Sequence, residues 1–182
     1  MIEWILGGII LIAVLALIAI YNSFISLRNR MNNAFAQIDV QTKRRYDLVP
    51  NLVESVKGYM KHEKGVLESV TKARAAIVTG ASVKDRLKAE GALTNALKSL
   101  FAVAESYPDL KANQNFLMLQ EELSGIESKI AFARQFYNDS VMKWNQNVQM
   151  FPNSLVANLF KFQPQEFLEA TAEERKAVKV KF

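Results

Sequence analysis

The chain has 182 residues, half of them apolar, a formal charge of +5, no cysteine, one histidine, seven glycines and four prolines. The missing thiol excludes disulfides, thiolate catalysis, cysteine-ligated zinc and a thioether lipid anchor, and a lone His excludes any metal site that needs two. Few Gly and Pro against abundant Ala, Leu, Lys, Glu, Gln and Met favour an all-α fold, with length left after an anchor for one domain with a core.

Residues 4–27 contain no ionic group, and all 23 Lys and Arg lie beyond them. Hydrocarbon offers no hydrogen bonds to a bare backbone, so about 20 apolar residues in a row are stable there as one spanning helix. Residues 1–27 are therefore read as a transmembrane anchor, with Trp4 and Tyr21 as interfacial aromatics. Only Met1, Ile2 and Glu3 precede the segment, which lacks a basic leader and a good cleavage site, so retention is expected. Arg28 and Arg30 follow it, and the positive-inside rule places the amino terminus outside and the remainder in the cytoplasm. The positive charge is modest and spread out, the pattern of an ordinary solvated surface with some attraction to an anionic bilayer. Neither nucleic acid nor a small-molecule substrate is expected.

Residues 28–151 read as an antiparallel four-helix up-and-down bundle that continues from the span. Phe24, Leu27, Met31, Ala34 and Ile38 recur at helical spacing, so the first helix runs toward Asp47. Pro50 marks a boundary, and a turn is expected there in preference to a kink. A second stripe, Val53, Val56, Met60, Leu67, Val70 and Ile77, ends near Thr79, with Gly80 as a closing residue and Ser82 with Asp85 as a capping box. A third carries Val83, Leu87, Leu97, Phe101 and Ala104 and stops at Tyr107-Pro108-Asp109. The fourth runs from Phe116 to Phe151 through Leu119, Leu123, Ile126, Ile130, Ala133, Tyr137, Val141, Trp144 and Val148, a seam alternating steps of three and four with one extra four. Residues 152–182 form an irregular tail with an apolar patch of Leu155, Val156, Leu159, Phe160 and Phe162.

Candidate chemistry is sparse. His62 stands in a charged stretch and lacks the second ligand of a zinc peptidase helix, and no phosphate loop is present. No catalytic residue, metal ligand or cofactor is assigned. Gln41 and Arg45 continue the first stripe, Glu63 and Arg74 fall on or beside the second, Glu90 on the third, and Glu121, Glu122 and Glu127 flank the fourth. Gln41, Arg45, Glu63 and Arg74 are read as buried polar residues that fix helix register, because a buried Arg must find a carboxylate.

The stretch AQIDVQTKRRYDLVPNLVESVKGYMKHE (36–63) resembles the signature of the LemA family of bacterial membrane proteins. The blocks at 105–123, 130–141 and 151–162 and the closing VKVKF are similar to its later segments. The resemblance covers essentially the whole chain and implies a single amino-terminal span with an antiparallel four-helix bundle, placed in the bacterial plasma membrane. The family has no established enzymatic activity, so it supplies no catalytic residue. Its relatives occur in magnetosome-forming bacteria, and its genes often neighbour a membrane zinc metalloprotease. Two functions are compatible with these readings. One is a non-catalytic membrane scaffold, homo-oligomeric, that uses the patch from Leu155 to Phe162. The other is an adaptor of a membrane zinc metalloprotease, with Arg44, Arg45 and the Lys- and Arg-bearing helix faces as docking charges.

Overall fold

A computed structural model describes residues 1–79 and 83–168. Among them the fold is all-α, with six helices: α1 (Ile2–Lys57), α2 (Lys64–Thr79), α3 (Val83–Ala104), α4 (Pro108–Lys111), α5 (Gln114–Gln149) and α6 (Asn153–Leu159). Gly80, Ser82 and the side chains of Val83 and Leu87 lie outside the described residues.

The first helix differs from expectation at Pro50. No turn occurs there, and α1 continues to Lys57 with Pro50 inside it. Proline removes the N–H that would serve the carbonyl four residues back, that of Tyr46. Arg74 of α2 replaces the lost donor: its Nε donates to the Tyr46 carbonyl at 3.2 Å, and its guanidinium lies 4.0 Å above the centre of the Tyr46 ring. The orphaned acceptor is thus satisfied from another helix. The chain reverses later, over residues 58–63, where Tyr59 and Met60 N–H groups close on the Val56 carbonyl and the fully buried Met60 pins the turn.

The described chain divides into two compact units. One comprises Met1–Ile38 and Phe132–Leu168, the other Asp39–Ala131. In the first, Phe24, Leu27 and Met31 of α1 pack with Val141 and Trp144 of α5 and with Val156 and Ala157 of α6. Ring pairs Phe24–Trp144 and Phe35–Tyr137, at 5.3 and 6.0 Å, set α1 and α5 antiparallel there. In the second, Val49, Leu52 and Val56 of α1, Val70 and Ile77 of α2, Leu93, Leu97 and Leu100 of α3, and Phe116 and Leu123 of α5 form one aliphatic-rich core. Burying each such side chain contributes about 1.5–3 kcal/mol.

Helix α5 begins where Asn113 caps it, its Oδ1 accepting from the backbone N–H of Asn115 and Phe116 at 3.0 and 3.1 Å. It ends at Gln149, so Phe151, the last member of the expected seam, lies beyond the helix and is exposed. The tail is not irregular throughout, since α6 interrupts it.

Candidate membrane anchor and buried polar layer

Residues 2–19 of α1 are exposed on every side, including Ile2, Trp4, Ile5, Leu6, Ile9, Ile10, Leu11 and Ile12. A core helix of a soluble protein would hide one face of such a stretch. At 1.5 Å per residue, 18 residues measure about 27 Å, close to the thickness of a bilayer's hydrocarbon core. The helix is a candidate membrane span. Burial begins at its far end: Ile20 and Tyr21 are half-buried and Phe24 is buried, whereas Arg28 and Arg30 are exposed.

The patch expected in the tail is divided by α6. Val156 is buried and Phe162 half-buried, while Leu155, Leu159 and Phe160 remain exposed. Phe162 inserts among Tyr21, Phe24 and Trp144, with ring centres 6.0, 4.9 and 5.4 Å away, and Phe160 lies 4.7 Å from Tyr21. Two backbone bonds aim Phe162 inward, Phe162 N–H to the Ala157 carbonyl and Lys161 N–H to that of Asn158. This is the Schellman closure, which needs a left-handed residue. Lys161 supplies it at φ 57°, a conformation that costs a non-glycine residue about 1–2 kcal/mol.

Beyond α6 the chain is strapped along α5. Trp144 Nε1 donates to the Gln163 carbonyl at 2.8 Å. The Asn145 side chain exchanges two hydrogen bonds with the Gln165 backbone at 2.9 and 2.8 Å, and Asn138 does the same with Leu168 at 3.0 and 2.9 Å. Seven residues of helix rise about 10.5 Å and three of extended chain about 10 Å, so the two asparagines match their partners in register. Nothing in the local composition marks these asparagines, and the sequence reading missed them.

In the second unit the predicted polar residues take distinct places. Arg45 is 2% exposed. Its Nη1 donates to Thr94 Oγ1 at 2.9 Å and to Glu127, which thereby neutralises the buried charge. Gln41 is half-buried, and its Oε1, with Thr42 Oγ1 and Arg45 Nε, is buried without a hydrogen-bond partner. Each such atom costs about 1–3 kcal/mol, which offsets part of what the layer's hydrogen bonds contribute. Glu63 accepts from the Tyr107 hydroxyl at 3.3 Å. Burial first, and then the Glu63 charge, push the Tyr107 phenol above its ordinary value. Arg44 is exposed and pairs with Glu122 at 2.7 Å. His62 is exposed in the turn after α1, and no three His, Asp or Glu among the described residues converge as a metal site would require.

The sequence is similar to several named proteins. It is 27% identical over 140 residues to Protein LemA of Metamycoplasma hominis, covering 75% of this chain and 63% of that protein. It is 23% identical over 189 residues to Magnetosome protein MamQ of Magnetospirillum gryphiswaldense, covering 86% of this chain and 70% of that one. Magnetosome protein MamQ 2 of Paramagnetospirillum magneticum is 22% identical over 175 residues, covering 82% and 64%. The chain thus spans about 63–70% of the length of these relatives. The sequence model of the LemA family matches residues 34–182, most of the chain, which therefore belongs to the LemA family.

Proposed function

We propose that the protein is a non-catalytic scaffold, held in a bacterial plasma membrane by α1 and self-associating there. The observation that carries this reading is the wholly exposed apolar run over residues 2–19 in a helix that continues to Lys57. Such a surface is stable only in lipid or against another apolar surface. Trp4 and Tyr21 fit the two interfaces, and Arg28 and Arg30 beyond the span favour an outward amino terminus with the rest in the cytoplasm. Support for assembly comes from Phe132 and Phe136, one turn apart on α5 and both exposed, a placement that soluble monomers avoid in large patches. The polar layer supports a structural role, because Arg45, Glu127 and Thr94 are spent on one another.

The adaptor reading would use Arg44 for docking to a membrane zinc metalloprotease. Its guanidinium is engaged by Glu122, and the scaffold is the reading we adopt. Cross-linking of the full chain in native membranes at physiological expression tests it, with dimers and larger species expected; monomer alone overturns it. Because the chain has no cysteine, an engineered thiol at Glu3 is the only one present. Its reaction with an impermeant maleimide on intact cells checks the orientation, and protection of that thiol with labelling at Lys72→Cys reverses it.

A further inference from the structure

Helix α6 carries apolar residues on two faces. Val156 and Ala157 turn into the aromatic cluster of the first unit, while Leu155 and Leu159, one turn apart, are 61% and 65% exposed. Phe151, four residues before Leu155, is 80% exposed. In water this surface has nothing to recommend it, and its position on α1 matters. The cluster that holds α6 is built on Ile20, Tyr21, Phe24 and Leu27. That stretch lies between the last residue of the bare span and the first cation, Arg28. Its first four or five residues, rising about 1.5 Å each, are the part of α1 that a bilayer's headgroup zone, about 5–8 Å deep on each side, must cover once residues 2–19 fill the hydrocarbon. Ring contacts of 4.7 Å to Phe160 and 6.0 Å to Phe162 tie Tyr21 directly to the residues closing α6. Lys161, exposed beside them in a left-handed conformation, brings a cation to the same level, where anionic headgroups attract it.

We propose that Phe151, Leu155 and Leu159 form a lipid-facing shelf, seated in the headgroup interface of the bilayer that α1 crosses. The occupant of this face is phospholipid. The shelf adds a second, monotopic contact beside the span, of the kind an amphipathic helix makes when its apolar face sinks about 5–10 Å below the headgroups. It also gives the strained Lys161 turn a purpose: the turn inverts the chain so that Phe162 enters the protein core while Leu155 and Leu159 stay outside it. The inference rests on the anchoring proposed above.

The test is depth measurement on the full chain in phosphatidylcholine–phosphatidylglycerol vesicles. Environment-sensitive fluorophores are placed one at a time through Leu155→Cys, Leu159→Cys, Ile10→Cys, Asn32→Cys and Lys72→Cys, and quenched by lipids bearing a nitroxide near the headgroup or deep in the acyl chain. Circular dichroism of each labelled protein checks that it keeps its helix content. The shallow quencher is expected to reduce the emission at positions 155 and 159 roughly two-fold or more relative to positions 32 and 72, as for an interfacial helix. Emission at position 10 should respond to the deep quencher. Position 10 quenched with 155 and 159 unquenched overturns the shelf and leaves the anchor standing. Position 10 unquenched overturns both. Emission at 155 and 159 that is blue-shifted but unquenched, with energy transfer between labelled copies, assigns the face to a second copy and overturns the shelf.

Discussion

Pro50 sits inside a helix because Arg74 answers the acceptor that it orphans, and this dependence can be measured. Arg74→Ala removes a charge-assisted hydrogen bond to the Tyr46 carbonyl, worth about 1.5–3 kcal/mol when buried and less at this half-buried site. It also removes a cation–π contact at 4.0 Å that contributes about 0.5–1 kcal/mol near the surface. The expected loss is about 2 kcal/mol. Pro50→Ala restores an N–H to the Tyr46 carbonyl and relieves the ring's clash with it, so this variant should gain about 1 kcal/mol or more. In the Pro50→Ala background the carbonyl no longer needs Arg74, and Arg74→Ala should then cost only the stacking. The double-mutant cycle therefore predicts a coupling of about 1 kcal/mol, outside the 0.3–0.5 kcal/mol scatter of independent sites. Arg74→Lys should lose most of what Ala loses, because an ammonium lacks the planar face and fixed Nε donor. Urea unfolding of the full chain in mild detergent, followed by far-ultraviolet circular dichroism, supplies all four corners. Additive single effects would refute the compensation.

Three further outcomes follow from the same contacts. Glu127→Ala leaves Arg45 buried without its carboxylate. It should destabilise by about 2 kcal/mol in the same assay, below the 3–5 typical of a fully buried pair because 43% of the Glu127 side chain is exposed; adding Arg45→Met should restore most of the loss. Asn138→Ala removes both hydrogen bonds to Leu168 and should cost about 1–2 kcal/mol, with faster amide exchange over residues 163–168. Asn138→Asp should fare little better, since it keeps the acceptor for Leu168 N–H and loses the donor to its carbonyl. Burial raises the Tyr137 phenol above its ordinary value, which is near pH 10. The folded state thus favours the neutral ring, and this contribution is complete below about pH 10 and lost as pH rises through the folded value. Tyr137→Phe should flatten the alkaline fall in stability and remove one late-titrating tyrosinate from the absorbance curve.

The apolar run and the first and fourth stripes were legible because each rests on a long period, whereas the second, read as one helix, is shared between α1, which holds Val53 and Val56, and α2, which holds Leu67, Val70 and Ile77. An uninterrupted apolar run and a seam of threes and fours hold over enough residues that tertiary context has little left to decide. Phe24, Leu27, Met31, Ala34 and Ile38, all read from spacing, are all buried. Pro50 was misread for the opposite reason. Its penalty is local, but the donor that cancels it stands 28 residues along the chain from the Tyr46 carbonyl it serves, and no window around the proline contains it. The need for a carboxylate beside Arg45 was visible in the stripe, whereas the choice of Glu127 over its neighbours depends on helix rotation. The asparagine strap was invisible, because it appears only when an extended segment is laid along α5 and the two rises are compared. Seven residues of α6 are too few to show a period, so its division into inner and outer apolar faces arises only from how it packs on α1 and α5.

The two units use different chemistry for their cores, and the difference follows from what each must exclude. The first gathers Tyr21, Phe24, Trp144 and Phe162, large rings whose polar rims and flat faces would suit the end of the proposed span. Trp144 there keeps its N–H satisfied by a carbonyl of the strap, so the strap completes the core as well as covering it. The second is mostly aliphatic, with Phe116 its one fully buried ring among the described residues, and Leu, Val and Ala pack at many registers with similar energy. Arg45, which must reach Glu127 and Thr94 together, makes a slip by one turn expensive, because the slip would bury a bare charge. Unpartnered Gln41 and Thr42 atoms beside it lower stability. Their replacement by apolar residues of similar size should be tolerated where loss of the Glu127 carboxylate is not, which separates the part of the layer that selects the fold from the part that only accompanies it.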